Sequence, residues 1–107
     1  MTQLDLSSHD LNLVRDILKL HANGYCVWAF GSRVKGTAKK YSDLDLAIMT
    51  SQPLSFSKMA EIKEAFDESN LSIRVDIVDW AATSDLFQQI IEQQKCVIQE
   101  NTTANDD

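Results

Sequence analysis

The chain has 107 residues, 44% of them hydrophobic and 24% charged, which is enough apolar material for one compact domain. Ten Lys and Arg residues stand against sixteen Asp and Glu residues, and the resulting net charge of −6 argues against direct nucleic-acid binding. No apolar stretch has the roughly 18 residues of a membrane span, and no signal-peptide pattern opens the chain. Together with two widely separated cysteines, these features predict a cytoplasmic protein without a membrane segment.

The first half of the sequence predicts one helix and two strands. Apolar residues at three- and four-residue steps predict a helix over residues 8–22, capped by Ser7 or Ser8. The β-branched and aromatic run at 25–30 predicts a buried strand. The alternating run at 44–49 predicts a second strand, which ends before a turn cluster.

The second half predicts two more helices and another strand. Ser55 or Ser57 can cap a helix with a single apolar stripe, and Ser84 can cap a final helix. Between them, residues 72–79 alternate with the period of a strand. Residues 96–98 fit either a short closing strand or a docked tail. Residues 1–99 are therefore expected to form one domain of the α/β or α+β class, with a small sheet covered by helices, and 100–107 a disordered acidic tail.

Two carboxylates at the start of the second predicted strand are candidates for a metal site. Asp43 and Asp45 are two residues apart, so both project from one face of the strand. Their mutual repulsion favours a cation between them, and oxygen ligands suit Mg²⁺. Asp76, on the third predicted strand, can complete the cluster, although Asp79 competes for that place. Such a cluster can hold two metal ions for an in-line phosphoryl displacement.

The segment that follows the first strand has the character of a phosphate site. Gly31 permits close approach of the backbone, and the Ser32 hydroxyl with nearby N–H groups can hold phosphate oxygens. A short helix over residues 32–35 would add a favourable dipole at the same place. The positive charges of the chain concentrate here, at Arg33, Lys35, Lys39 and Lys40. Tyr41, just before the Asp pair, is expected to pack against the domain.

Residues 31–46 resemble a known signature. A Gly-Ser pair, ten intervening residues and Asp-x-Asp are typical of the DNA polymerase β-type nucleotidyltransferase superfamily. The Gly-Ser-Arg start and the Ser-Asp-Leu-Asp-Leu finish are similar to the minimal nucleotidyltransferases, called MNT proteins, which are commonly antitoxin partners of HEPN-domain ribonuclease toxins. The resemblance covers nearly the whole chain and implies a minimal polymerase β-like fold, a small mixed β-sheet flanked by helices.

The resemblance also implies residue roles. Asp43 and Asp45 match the metal-binding carboxylates, and Asp76 matches the third, which contacts metal and helps to deprotonate the acceptor hydroxyl. Gly31 and Ser32 match the phosphate-holding pair.

Two further residues are assigned to nucleotide binding by the same resemblance. These are Arg33 and Ser42, and for Arg33 structural packing stays open as the alternative.

The implied activity is the Mg²⁺-dependent transfer of AMP from ATP to a tyrosine hydroxyl of a cognate HEPN toxin, with a two-ion site expected. We expect a chain this short to leave no room for a second acceptor-binding domain, which favours a protein acceptor, and its acidity suits a basic partner. Two alternatives stay open. One is an antitoxin that only occludes the toxin, and the other is a nucleotidyltransferase that acts on a small molecule.

Overall fold

Within residues 4–100, which the computed structural model describes, the predicted order of elements is confirmed. The helices are α1 (Ser8–His21), α2 (Ser32–Lys35), α3 (Phe56–Asp67) and α4 (Asp85–Gln94). The strands are β1 (Cys26–Phe30), β2 (Leu44–Met49), β3 (Val75–Asp79) and β4 (Cys96–Gln99), with a 3₁₀ turn at Trp80–Ala82. None of the helices in this part of the chain is long and apolar enough to cross a membrane.

The four strands form one mixed sheet in the order β3-β2-β1-β4. β1 is antiparallel to both β2 and β4, whereas β2 and β3 are parallel. Of the two alternatives for residues 96–98, the closing strand is therefore correct, since β4 pairs with β1. The predicted class, a small mixed sheet flanked by helices, is confirmed.

The two faces of β2 contact different hydrophobic clusters. Leu44, Leu46 and Ile48 are fully buried in the main core, together with apolar side chains of α1 and α3. The opposite face of the sheet carries a smaller cluster in which Ile91 of α4 packs with neighbouring strand residues. Because side chains alternate along a strand, Asp45 lies on the α4 face.

Three helices begin at serine caps. Ser7, Ser55 and Ser84 each accept a hydrogen bond from the backbone N–H three residues further on. This geometry satisfies one of the N–H groups that the first helical turn leaves unpaired. It also selects Ser7 over Ser8 and Ser55 over Ser57 as the caps.

The structure differs from the sequence prediction at the ends of some elements. β3 begins at Val75, three residues later than predicted, because Ser72 is held away from the sheet: its hydroxyl donates to the buried Asp10 of α1 at 2.5 Å. α1 ends at His21 rather than at residue 22. Apart from Glu100, the predicted acidic tail lies outside the described residues.

Asp79, at the end of β3, is a structural residue. It is buried and accepts hydrogen bonds from the Thr50 hydroxyl at 2.5 Å and from the Leu54 N–H at 2.6 Å. These bonds fasten the connection between β2 and α3 to the sheet. Asp76, by contrast, is exposed, so the two acidic residues that competed on sequence have separate environments.

Replacing Asp79 with Ala should therefore lower the free energy of unfolding by about 2–4 kcal/mol, because two hydrogen bonds to a buried carboxylate are lost. Asp76→Ala, three residues away on the same strand, is the matched control and should cause no loss. Urea unfolding of both variants measures the difference. Equal destabilisation by the two changes would contradict the structural role of Asp79.

Candidate active site

Three carboxylates gather where β2 and β3 begin. Asp45 and Asp76 are register partners on these parallel strands, which run roughly 4.8 Å apart in any sheet. Asp43 precedes Asp45 by two residues, just before β2 begins. The face predicted for the Asp43 and Asp45 pair is thus shared with Asp76, the third predicted member.

The electrostatics of Asp45 reflect this crowding. Its pKa is raised from 3.8 to about 6, first by burial and then by the negative charges of Asp76 and Asp43. Burial disfavours the ionised carboxylate, and each neighbouring carboxylate disfavours it further. A cation bound near Asp45 would oppose both effects and favour its ionised form.

The turn after β1 is fitted to Asp45. Gly31 has a φ of +83°, a backbone conformation that favours glycine. A Cβ atom at this position would lie 2.2 Å from Oδ2 of Asp45, which leaves no space for any side chain. The Gly31 N–H donates to Oε1 of Gln94, at the end of α4, at 3.0 Å. Both the shape and the position of the turn are thus fixed.

A single turn of helix follows. α2 starts at Ser32, as expected, and ends at Lys35; the next residue, Gly36, adopts the left-handed conformation with a φ of +82°. The N–H groups of Val34 and Lys35 both donate to the carbonyl of Gly31. The Ser32 side chain is half-buried at the start of this turn, beside the residue that contacts Asp45.

Arg33 occupies a structural position. It is buried, and its guanidinium donates to the carbonyl oxygens of four residues: Asp5, Lys39, Lys40 and Ser42. The Ser42 hydroxyl accepts from the Lys39 N–H at 2.8 Å. Of the two possibilities for Arg33, the geometry favours packing, because the guanidinium is committed to the backbone of the 36–43 loop. A nucleotide-binding role for Arg33 and Ser42 stays a prediction.

The remaining cations of this region are exposed. Lys35, Lys39 and Lys40 lie at the surface of α2 and the 36–43 loop. Tyr41 is 76% exposed, so the expectation that it packs against the domain is wrong. The reason is local: Lys40 Nζ lies 5.3 Å from the centre of the Tyr41 ring, and this cation-π contact is made at the surface.

The donor chemistry of the cluster suits a hard divalent cation, since carboxylate oxygens are the ligands that Mg²⁺ takes. Among residues 4–100, however, no three His, Cys, Asp or Glu side chains are arranged as a ready metal-binding group. Asp43 and Asp76 are near enough to Asp45 to raise its pKa. The metal-binding role of the three residues therefore stays a prediction that the donor set and the charges support.

Sequence patterns did not indicate the roles of two residues, one in this site and one at the far end of β3. Gln94, which positions Gly31, is 63 residues away from it and belongs to an ordinary amphipathic helix. The burial of Asp79 could have been suspected only from its place at the strand end, beside Trp80. Long-range side-chain contacts of this kind leave no local signal.

Asp45→Asn should stabilise the metal-free protein, and the gain should depend on pH. A pKa that is higher in the folded than in the unfolded state means that folding favours the protonated carboxyl. The corresponding stability is present below pH 4 and is lost as the pH rises through about 6. Thermal unfolding in the presence of a chelator should show the variant melting above the wild type at pH 7.5 and level with it at pH 4. Asp16→Asn, on the exposed face of α1, is the control, and an equal offset at both pH values would contradict the assignment.

Arg33→Ala should lower the free energy of unfolding by about 2–4 kcal/mol, because several carbonyl oxygens lose a charged donor. Lys35→Ala, an exposed cation on the same helical turn, should have little effect. Urea unfolding together with ATP titration distinguishes the two roles of Arg33. A variant that keeps full stability and loses only affinity for ATP would show that Arg33 contacts phosphate instead.

Comparison with known proteins assigns the chain to a family. Residues 12–103 match the model of the family described as Polymerase beta, Nucleotidyltransferase. The chain is 56% identical over 98 residues to the "Probable protein adenylyltransferase MntA" of Haemophilus influenzae, covering 92% of this chain and 86% of that protein.

Solved structures agree at the level of the fold. A chain of a toxin–antitoxin complex with AMP-PNP is 25% identical, with a TM-score of 0.71, and the match covers 90% of this chain and 77% of that one. A chain of the complex between an MNT antitoxin and the tri-AMPylated HEPN toxin of Shewanella oneidensis has a TM-score of 0.65 at 17% identity, over 94% and 78% of the two chains. The resemblance carried by residues 31–46 is thus confirmed over almost the whole sequence: the chain belongs to the polymerase β nucleotidyltransferase family.

Proposed function

We propose that this chain is an Mg²⁺-dependent protein adenylyltransferase that transfers AMP from ATP to a tyrosine hydroxyl of a cognate HEPN ribonuclease toxin, and so neutralises it. The observation that carries the proposal is the carboxylate pair of Asp45 and Asp76, which are in register on parallel strands, with Asp45 seated against the Gly31 turn. The name of the MntA relative, a protein adenylyltransferase, supports the reaction class. The AMP-PNP complex of the toxin–antitoxin structure supports ATP as the co-substrate.

The donor nucleotide would bind at the β1 end of the site. The N–H groups of Ser32 and Arg33 precede the first backbone hydrogen bonds of α2, which run from Val34 and Lys35 to Gly31, so they can face phosphate oxygens. The Ser32 hydroxyl can add a further hydrogen bond. The exposed cations Lys35, Lys39 and Lys40 lie on α2 and the loop that follows it, where they add positive charge. Gly31 lets Asp45 approach this turn closely because it carries no side chain.

The carboxylates would hold the metal. Asp43, Asp45 and Asp76 are the residues that would ligate Mg²⁺, and the raised pKa of Asp45 supports this, because a nearby cation would oppose the effects of burial and of the neighbouring negative charges. Bound Mg²⁺ would neutralise charge that develops on the phosphate oxygens and orient the leaving group. Asp45 and Gly31 together fix the distance between the metal ligands and the phosphate-binding turn.

The transfer itself needs a proton acceptor for the incoming hydroxyl. Asp76 is exposed at the side of the cluster away from Gly31, where an acceptor can reach it. The tyrosine oxygen forms a bond to the α-phosphorus of ATP, the bond to pyrophosphate breaks, and the phenolic proton passes to Asp76. The product is a tyrosine phosphodiester that carries AMP.

The proposed partner is a protein. In the Shewanella oneidensis complex the partner of the MNT antitoxin is a HEPN toxin that carries AMP groups. The net charge of −6 would speed the approach of a basic ribonuclease, more at low salt than at high salt. Nucleic acid and membranes have no part in the proposal, and a cytoplasmic location stays a prediction of the sequence.

Incubation of the cognate HEPN toxin with this chain, ATP and Mg²⁺ should raise the intact mass of the toxin by one or more AMP groups. The doubly substituted Asp43→Asn, Asp45→Asn variant should lose the transfer and keep its fold, because the change removes ligands and repulsion alike. Asp16→Asn should transfer AMP at the wild-type rate, and EDTA should stop the reaction. No mass increase with the wild type would contradict the enzymatic proposal.

The same variant separates chemistry from occlusion. If AMP transfer neutralises the toxin, cells that express the toxin with the doubly substituted variant should stop growing. Full protection by that variant would favour an antitoxin that acts by binding alone.

A further inference from the structure

A cavity of about 280 Å³ lies next to Asp76, at the outer edge of β3. Two residues of α3 and the first part of β3 line it: Lys63, Asp67, Arg74, Val75, Asp76 and Ile77. Because β3 is the edge strand of the sheet, the cavity opens on the side of the carboxylate cluster that is away from β1. The family signature at residues 31–46 includes none of these cavity residues.

The cavity contains two positive charges without a partner. Lys63 and Arg74 are both exposed, and in the part of the chain that the structure describes neither forms an ion pair within 4 Å. Asp67 and Asp76 also line the cavity, so its formal charge is balanced. An anion would therefore be bound by directed hydrogen bonds from these side chains, above all from the planar guanidinium of Arg74, and not by an excess of positive charge.

The position of the cavity assigns it to one substrate. Across the sheet, the order is the Gly31 turn at the end of β1, Asp45 on β2, Asp76 on β3 and then the cavity. In a phosphoryl transfer the attacking and leaving oxygens lie roughly in line on opposite sides of the phosphorus. If the phosphates of the donor occupy the Gly31 side, the attacking hydroxyl arrives from the β3 side.

We infer that this cavity binds an anionic group next to the acceptor hydroxyl, an inference that rests on the proposed function. Lys63 and Arg74 select the acceptor by binding this anionic group. The volume suits one such group of a larger molecule, since pockets for whole drug-sized ligands measure roughly 300–1,000 Å³. The anionic group has two possible sources. It is an acidic side chain beside the acceptor tyrosine, or the phosphate of an AMP that has already been transferred.

Direct binding tests the cavity without any catalysis. O-Phosphotyrosine, titrated into the chelator-treated protein, should shift the backbone amide NMR signals of Lys63 and of residues 74–77. The double variant Lys63→Gln, Arg74→Gln should lose these shifts. Arg15→Gln, Lys19→Gln removes the same charge from the exposed face of α1 and should keep them. Shifts confined to residues 31–36, or none at all, would overturn the inference.

The course of AMP addition to the toxin, followed by intact mass, identifies the source of the anionic group. If the double variant Lys63→Gln, Arg74→Gln makes the first addition about tenfold more slowly than the wild type, the source is an acidic side chain beside the tyrosine. A tenfold change is the scale of one lost charged hydrogen bond. Slowing of later additions only would indicate the phosphate of attached AMP. Unchanged rates for every addition would overturn the inference, and the KM for ATP should stay at the wild-type value.

The two proposals fail in different ways. If the wild-type chain transfers no AMP, the proposed function is wrong, and the phosphotyrosine titration still decides whether the cavity binds an anion. Arg74→Lys keeps the charge but not the planar fork. It should bind phosphotyrosine more weakly than the wild type and more tightly than the double variant. Equal melting temperatures of the variants and the wild type would show that the losses do not come from unfolding.

Discussion

The contact between the Asp45 carboxylate and the backbone of Gly31 is the constraint on which the site depends. Oδ2 of Asp45 lies 2.2 Å from the place that a Cβ of residue 31 would take, so the metal-ligand candidate and the candidate phosphate-binding turn meet without a side chain between them. Gln94 holds the other side of the turn through the Gly31 N–H. This arrangement makes ionisation of Asp45 less favourable, because burial and two neighbouring carboxylates raise its pKa to about 6.

The topology of the sheet creates this meeting. β1 and β2 are antiparallel, so the end of β1 lies beside the start of β2, and β2 and β3 are parallel, so their starts are adjacent. The Gly31 turn and the paired residues Asp45 and Asp76 therefore lie at the same end of the sheet. The opposite face of β2, with Leu44, Leu46 and Ile48 fully buried, anchors the strand that carries the cluster. The candidate site and the core thus use alternate residues of one strand.

Much of this arrangement was predictable because it rests on local patterns. The order of elements and the face shared by Asp43 and Asp45 followed from strand and helix periodicity, and Asp76 was chosen from its place on the third predicted strand and from the family resemblance. What the sequence could not show depends on contacts between distant segments, such as the bond of Asp10 to Ser72 that delays the start of β3. The exposure of Tyr41 was missed for a related reason, since an aromatic residue in a loop has no periodicity that reveals its surroundings.

In the proposed function, the site divides into a donor side at the β1 turn and an acceptor side at the β3 edge, with Asp45 between them. Anomalous diffraction from crystals grown with Mn²⁺ and AMP-PNP tests this division most directly. The expected map shows manganese bound by Asp43 and Asp45, with the triphosphate on the Gly31–Ser32 side and the α-phosphorus between that turn and Asp76. Manganese away from these carboxylates, or a triphosphate in the cavity beside Arg74, would contradict the assignment of the two sides.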